Sequence, residues 1–213
     1  MKIITSYMAA FILAGTIFTF VSCQKELPLG NSDQATASEP QVLLSKEPVT
    51  RAYRDSFDIA MTFVPDAGWV YPNSWPAWFY GTGDGNATHM GNVNSYFNSH
   101  TTKSSTGVTM VYGRPVTQYY ATEVARFNIP ASLVQHVHAV IYDDKENSIW
   151  VEIAPEGMPS WHPDAIHVGM AGRALIVGGT GKFAGATGET TLNCYFSKIN
   201  LKGSMWQNGR ITY

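Results

Sequence analysis

Charge, cysteine and helical periodicity are all scarce in this chain, and each shortage removes a class of function. Of the 213 residues 14% are charged, and 14 Lys and Arg stand against 16 Asp and Glu, a formal net charge of −2. Such balance lacks the basic patch that nucleic acid, or an anionic membrane surface, demands of a main partner. Only one cysteine, Cys194, lies in the body of the chain, so no disulfide framework holds it; in a strand-like run it reads as a small core residue. Apolar residues spaced for an amphipathic helix are few, so helices are not the expected frame.

The parts of a nucleotide site are also missing, although one stretch imitates them. Ala174-Leu175-Ile176-Val177 runs into a glycine-rich segment, 178–188, in which Gly179-x-Gly181-x-x-Ala184 matches the loose dinucleotide fingerprint. That fingerprint needs a helix starting inside the glycines, its N-terminus facing the pyrophosphate. Here Gly185 and Gly188 interrupt the place of the helix, and Glu189 to Phe196 alternates like a strand. Lys198 and Lys202 stand where a ribose-binding acid belongs, and Lys182 precedes Phe183 rather than Ser or Thr. The segment reads as strand, glycine turn, strand, with no nucleotide and no cofactor expected.

What is present begins with an export signal. One charge, Lys2, precedes an apolar stretch from Met8 to Val21 that ends at Ser22-Cys23. A cysteine directly after the small residue resembles a bacterial lipoprotein signal, which implies cleavage before Cys23 and its lipidation, and hence a membrane partner through the lipid anchor. Phe20 departs from the usual leucine-type residue of that pattern. Cleavage removes Lys2 and no acid, moving the charge from −2 to −3. The expected organisation is a signal over 1–22, the lipidated cysteine and a flexible tether over 23–54, and one domain over 55–213. The tether assignment rests on Gly, Asn, Ser, Asp and Pro without sustained period.

Within 55–213, alternation recurs. Phe57, Ile59, Met61 and Phe63 share one face; so do Ile166, Val168, Met170, Ala174 and Ile176, with His167 and Arg173 opposite. Ile149, Val151 and Ile153 alternate with Trp150 and Glu152, and turn clusters at 81–86, 113–115 and 143–147 punctuate the runs. Short strands without crossover helices predict an all-β antiparallel barrel or sandwich. Residues 128–142 admit a helix after Asn128 and Pro130, but Val140-Ile141-Tyr142 before the 143–147 turn predicts a strand in the second half.

Two segments carry a resemblance. Gly-Gly-Thr-Gly-Lys-Phe-Ala-Gly-Ala-Thr-Gly at 178–188 resembles the glycine turn of the allene oxide cyclase and dirigent barrel superfamily. Gly83-x-Gly85-x-Ala87-Thr88-His89-Met90-Gly91 resembles the strand-to-strand segment of its bacterial secreted relatives. The resemblance implies a single calycin-like barrel of roughly eight strands with glycine-rich corners, and it transfers no catalytic residue.

Two groups of side chains are candidates for a site. His136 and His138, two apart on a strand, share a face and come opposite Glu152 if Tyr142 pairs with Ser148, a set suited to a metal or to acid–base work. Against it, Leu133, Val137, Ala139 and Ile141 make the better core face, which turns the histidines to solvent. The second group is aromatic: Trp69, Tyr71, Trp75 and Trp78 in a long proline-broken loop, joined by Trp161. Flat rings on a rigid loop bind glycans or small apolar molecules, or else plug the barrel end as core. The resulting reading is a membrane-anchored, exported, non-catalytic binding module in the bacterial cell envelope. Its alternative is a cyclase- or dirigent-like isomerase, which needs a lumen on the order of 300 Å³ or more.

Overall fold

The computed structural model describes residues 47–67 and 76–213. The anticipated alternation sets the first strand: in β1 (Thr50–Pro65), Tyr53, Phe57 and Ile59 are buried while Arg54, Ser56 and Asp58 are exposed. The strand starts at Thr50, ahead of the boundary expected at 55, because Tyr53 is fully buried and anchors those residues to the core. β2 (Ala77–Ala87) turns at Thr88-His89-Met90 into β3 (Gly91–Lys103), followed by β4 (Thr109–Gly113) and a short helix, α1 (Thr117–Val124). Then come β5 (Ala139–Tyr142), β6 (Ser148–Ile153), β7 (Met158–Trp161), β8 (His167–Thr180), β9 (Thr187–Ser197) and β10 (Lys202–Thr212).

Every pairing is antiparallel. Around the circumference β1, β10, β9, β8, β6, β5, β3 and β2 close a ring of 8 strands, as expected for a barrel. Two strands are shared by a second route, since β4 and β7 bridge β3 to β8 at their other ends. One end of the barrel carries the chain entry, where Val49 and Tyr213 exchange backbone hydrogen bonds, and the β2–β3, β5–β6 and β8–β9 turns. The far end carries the β3–β4, β7–β8 and β9–β10 turns.

The glycine segment is a corner, as its wording implied. β8 ends at Thr180, Gly181–Phe183 forms a single 3-10 turn, and β9 starts at Thr187. Gly181 has φ +60°, and a Cβ there would collide with the Asn147 side chain, so glycine is required. Phe183 plugs the entry end, fully buried, its ring 4.8 Å edge-on from Tyr213. The other family-like segment is pinned by Thr88, whose hydroxyl donates to the Arg54 carbonyl and accepts from the Arg54 N–H.

The helix α1 was not anticipated. With Tyr120 off helical geometry and no side-chain cap, it lies on the outside of β2 and β3. Tyr119 stacks on Tyr80 at 3.8 Å and Tyr120 packs on Tyr96 at 4.8 Å. Beside it Val116, Val124, Phe127, Val137, Val140 and Trp150 form a second core cluster. This explains why β6 is buried on both faces: Ile149, Val151 and Ile153 point into the lumen, and Trp150 points out under the 114–138 segment.

Candidate functional site

An eight-stranded barrel has an interior just wide enough for side chains to fill. Here they fill it: Ile59, Phe79, Ile141, Val151, Leu192, Phe196 and their neighbours meet across the lumen. A cavity of about 60 Å³ is left beside Asn98, His138 and Gln207. Cyclase- or dirigent-like use of the lumen calls for roughly 300–1,000 Å³, which this interior does not reach. Cys194 lies in this wall, its thiol pushed up to about 12 by burial, in keeping with a packing role.

A buried carboxyl is among the polar groups that interrupt the apolar lining. Asp55 follows the inward period of β1 and is buried. Its Oδ1 accepts the Gln207 N–H at 2.8 Å; its Oδ2 accepts from the Tyr53 hydroxyl at 2.9 Å and the Gln207 amide at 3.0 Å. Thr190 donates in turn to Gln207 Oε1 at 2.8 Å. Burial raises the carboxyl to about 7, against the hydrogen bonds from Tyr53 and Gln207, which lower it. The surrounding alternation of Phe57 and Ile59 hid this group, although its inward position followed from the period itself.

The histidine pair is divided. Residues 131–136 form turns instead of strand, so the two-residue period does not reach back to His136. The register beyond is the expected one, with Tyr142 opposite Ser148. His136 Nδ1 lies 2.9 Å from Glu152 Oε1 at the surface. His138 turns inward, correcting the expectation that both imidazoles face solvent: it is buried, packs over Gly113, and accepts the Ile153 N–H on Nδ1 at 3.0 Å. Desolvation lowers its pKa to about 4, so it stays neutral. Among the described residues no group of three or more His, Cys, Asp or Glu could hold a metal ion.

Of the aromatic group, Trp69, Tyr71 and Trp75 lie outside the described residues, as does Cys23. Trp78 and Trp161 are not brought together; β3 and β4 separate their strands. Trp78 is half-buried, its ring 4.6 Å from His100 and 6.3 Å from Tyr119. Tyr96 and Tyr142 line an open groove of about 960 Å³ beside α1. Their faces too are taken: the rings stack at 5.3 Å, Tyr120 covers Tyr96, and the Arg126 guanidinium lies 4.5 Å over Tyr142.

Trp161 differs. Its indole lies flat on Gly169 of β8, where a Cβ would collide with the ring. Gly169 pairs on its other side with Tyr195 of β9, and Tyr195 stacks on His167 at 5.1 Å. Trp206 of β10 pairs with Asn193, which places it diagonal to Tyr195 on the same outer face. Trp161, Tyr195 and Trp206 are 48%, 39% and 42% exposed, a row of open rings on the wall that 114–138 leaves bare. Beside Trp206 an open depression of about 690 Å³ offers Arg54, Ser56, Asn86 and Asn208. Trp206 went unnoticed in the sequence, although the inward neighbours Met205 and Gln207 mark it as outward.

No family model matches this chain, and no curated protein matches it. Among solved structures it is similar to the pterocarpan synthase dirigent protein GePTS1, at 13% identity over 79% of this chain and 87% of that one, with a TM-score of 0.30. A likeness so slight carries no residue, activity or ligand to this chain, whose barrel is read from its own strand order.

Proposed function

We propose that this chain is an exported lipoprotein, anchored through Cys23 to the bacterial cell envelope, whose barrel binds glycans on its bare outer wall. The observation that carries the binding half is the row of exposed rings Trp161, Tyr195 and Trp206, the last bordered by amides, hydroxyls and a guanidinium. A sugar presents an apolar C–H face to a ring and hydroxyls to such polar neighbours. A small apolar molecule fits less well, because such ligands bind in sites that bury most of their surface, and this wall is open. The anchor half rests on the Ser22-Cys23 signal.

The tests separate the halves. Trp161→Ala and Trp206→Ala each weaken binding to a glycan selected on an array by about 1–2 kcal/mol, roughly 5- to 30-fold, measured by titration calorimetry. His136→Ala, on the covered side, leaves affinity unchanged. An array without hits, or a double tryptophan variant that binds like the parent, removes the glycan reading. Cys23→Ser abolishes incorporation of labelled palmitate in the expressing cell; continued labelling removes the anchor reading.

A further inference from the structure

The lumen gathers sulfur. Met61, Met158, Met170, Met205 and Cys194 all line the cavity of about 60 Å³; among the described residues the other methionines, Met90 and Met110, do not. The strand register makes three of these side chains neighbours. Cys194 of β9 pairs with Met170 of β8 on one side and with Met205 of β10 on the other, and all three belong to the core. Directly opposed side chains start about 4.5–5.5 Å apart. Closure of the barrel brings them closer still, because inward side chains converge on its axis. Met158 reaches the same place from β7: its side chain lies over Gly172, two residues from Met170, where a Cβ would collide with it. Glycine at that position leaves the thioether its room.

Among the described residues no carboxylate lines the cavity, and its one imidazole is engaged: His138 holds the Ile153 N–H on Nδ1 and has a backbone hydrogen bond with Gln135. Sulfur is therefore the donor this wall supplies in number, and thiolate and thioether ligands select copper(I) over hard and borderline ions. Charge points the same way. Copper(I) with a single thiolate is a neutral unit that an apolar lumen can bury, whereas a divalent ion with one thiolate leaves a costly net charge there. Methionine also fills irregular core space with no ligand. Packing alone, however, does not require three adjacent sulfurs on one cavity and a fourth seated on glycine. We propose that the lumen is a copper(I) site, with Met170, Cys194 and Met205 as ligands and Met158 closing the fourth position. Cys194 binds as the thiolate, its proton passing to solvent. A narrower void of about 10 Å³ shares Phe79, Thr101, Val111, Met170 and Phe196 with the cavity and reaches the exposed His162, which gives the ion a route from the surface. The site goes beyond the anchor and the glycan wall, and needs neither.

The barrel buries its core within residues 45–213, so the unlipidated chain from Gln24 to Tyr213 serves for the test, with Cys194 its one thiol. Titrated without oxygen against copper(I) held by bicinchoninate, it takes up a stoichiometric amount of copper and gains near-ultraviolet copper–thiolate absorption. X-ray absorption at the copper edge finds a shell of sulfur. Zinc(II) at the same concentration is not retained. Met170→Leu and Met205→Leu keep the core volume, and each lowers copper(I) affinity at least about tenfold. Cys194→Ser removes the absorption band, and Met110→Leu, outside the cavity lining, binds like the parent. No uptake, zinc(II) retained as well as copper(I), or an affinity indifferent to Met170 and Met205 overturns the proposal; the last result would mean that a thiol alone captures the ion. Circular dichroism matching the parent confirms that the variants are folded, and the Met170→Leu, Met205→Leu double variant repeats the test if Cys194→Ser fails to fold.

Discussion

Asp55→Asn protein resists denaturant better than the parent at pH 8, and the advantage shrinks as the pH falls to 4. The cause is the carboxyl held at about 7 in the folded barrel, against an ordinary 3.8. Below pH 4 the group is protonated folded and unfolded, and burial costs no charge. Between 4 and 7 the unfolded chain releases the proton while the folded one keeps it, so stability falls as the pH rises. Above 7 both states are ionised, and the cost levels off. At 1.36 kcal/mol per pKa unit that cost is on the order of 4 kcal/mol.

Asparagine removes the charge and keeps the shape. Its Oδ1 still accepts the Gln207 N–H, while its amide faces the Tyr53 hydroxyl, which can accept, and the Gln207 side chain. A flip of the Gln207 amide turns its oxygen to the asparagine and its nitrogen to the Thr190 hydroxyl. The expected gain at pH 8 is therefore a few kcal/mol, less whatever that rearrangement costs. Denaturant midpoints of parent and variant across pH 4–8 provide the measurement, and parallel profiles would sink this account. Tyr53→Phe acts in the opposite direction: it deletes a donor to the buried carboxylate and destabilises most above pH 7.

Phe183→Ala is the most damaging single change expected among the corner residues. The side chain is fully buried at the entry end, edge-on to Tyr213, in the turn whose wording imitated a phosphate loop. Truncating a buried phenylalanine costs about 3–5 kcal/mol through lost transfer energy and the cavity left behind. Two neighbours limit collapse around it: Gly181 is held by its left-handed φ, and the Lys182 N–H is bonded to Asn147 Oδ1 at 3.0 Å. A drop below 1 kcal/mol in equilibrium unfolding would mean that the corner is loosely packed. Phe183→Leu keeps most of the volume and serves as the milder control.

Local alternation made much of the architecture legible. It anticipated the inward set of β1, the strand–turn–strand at 178–188 and the pairing of Tyr142 with Ser148. It failed where phase was reset or where a segment folds only against something else. His138 could not be placed because the turns at 131–136 break the two-residue count, and strand begins only at Ala139. The helix α1 has no acidic first turn, no side-chain cap and two adjacent tyrosines, so its own residues barely favour it. It exists because Tyr119 and Tyr120 find Tyr80 and Tyr96 on the barrel wall. Trp161 was legible as a ring on a loop-like stretch, but not as a ring lying open on Gly169.

By itself, the sequence determined which side chains of β1 share a face and that the glycines of 178–188 turn the chain, because those follow from the two-residue period and from backbone sterics. The turn it placed at 81–86 lies instead inside β2, where glycines let neighbouring strands approach. Only the tertiary structure decided that the lumen is full, since closing eight strands sets a radius that the inward side chains happen to match. It alone decided that Asp55 is a buried carboxyl, and that Trp78 is covered while Trp161, Tyr195 and Trp206 are bare. Alternation says which residues leave the lumen; what lies over them depends on where 114–138 comes to rest, and that is settled by contacts between residues far apart in the chain.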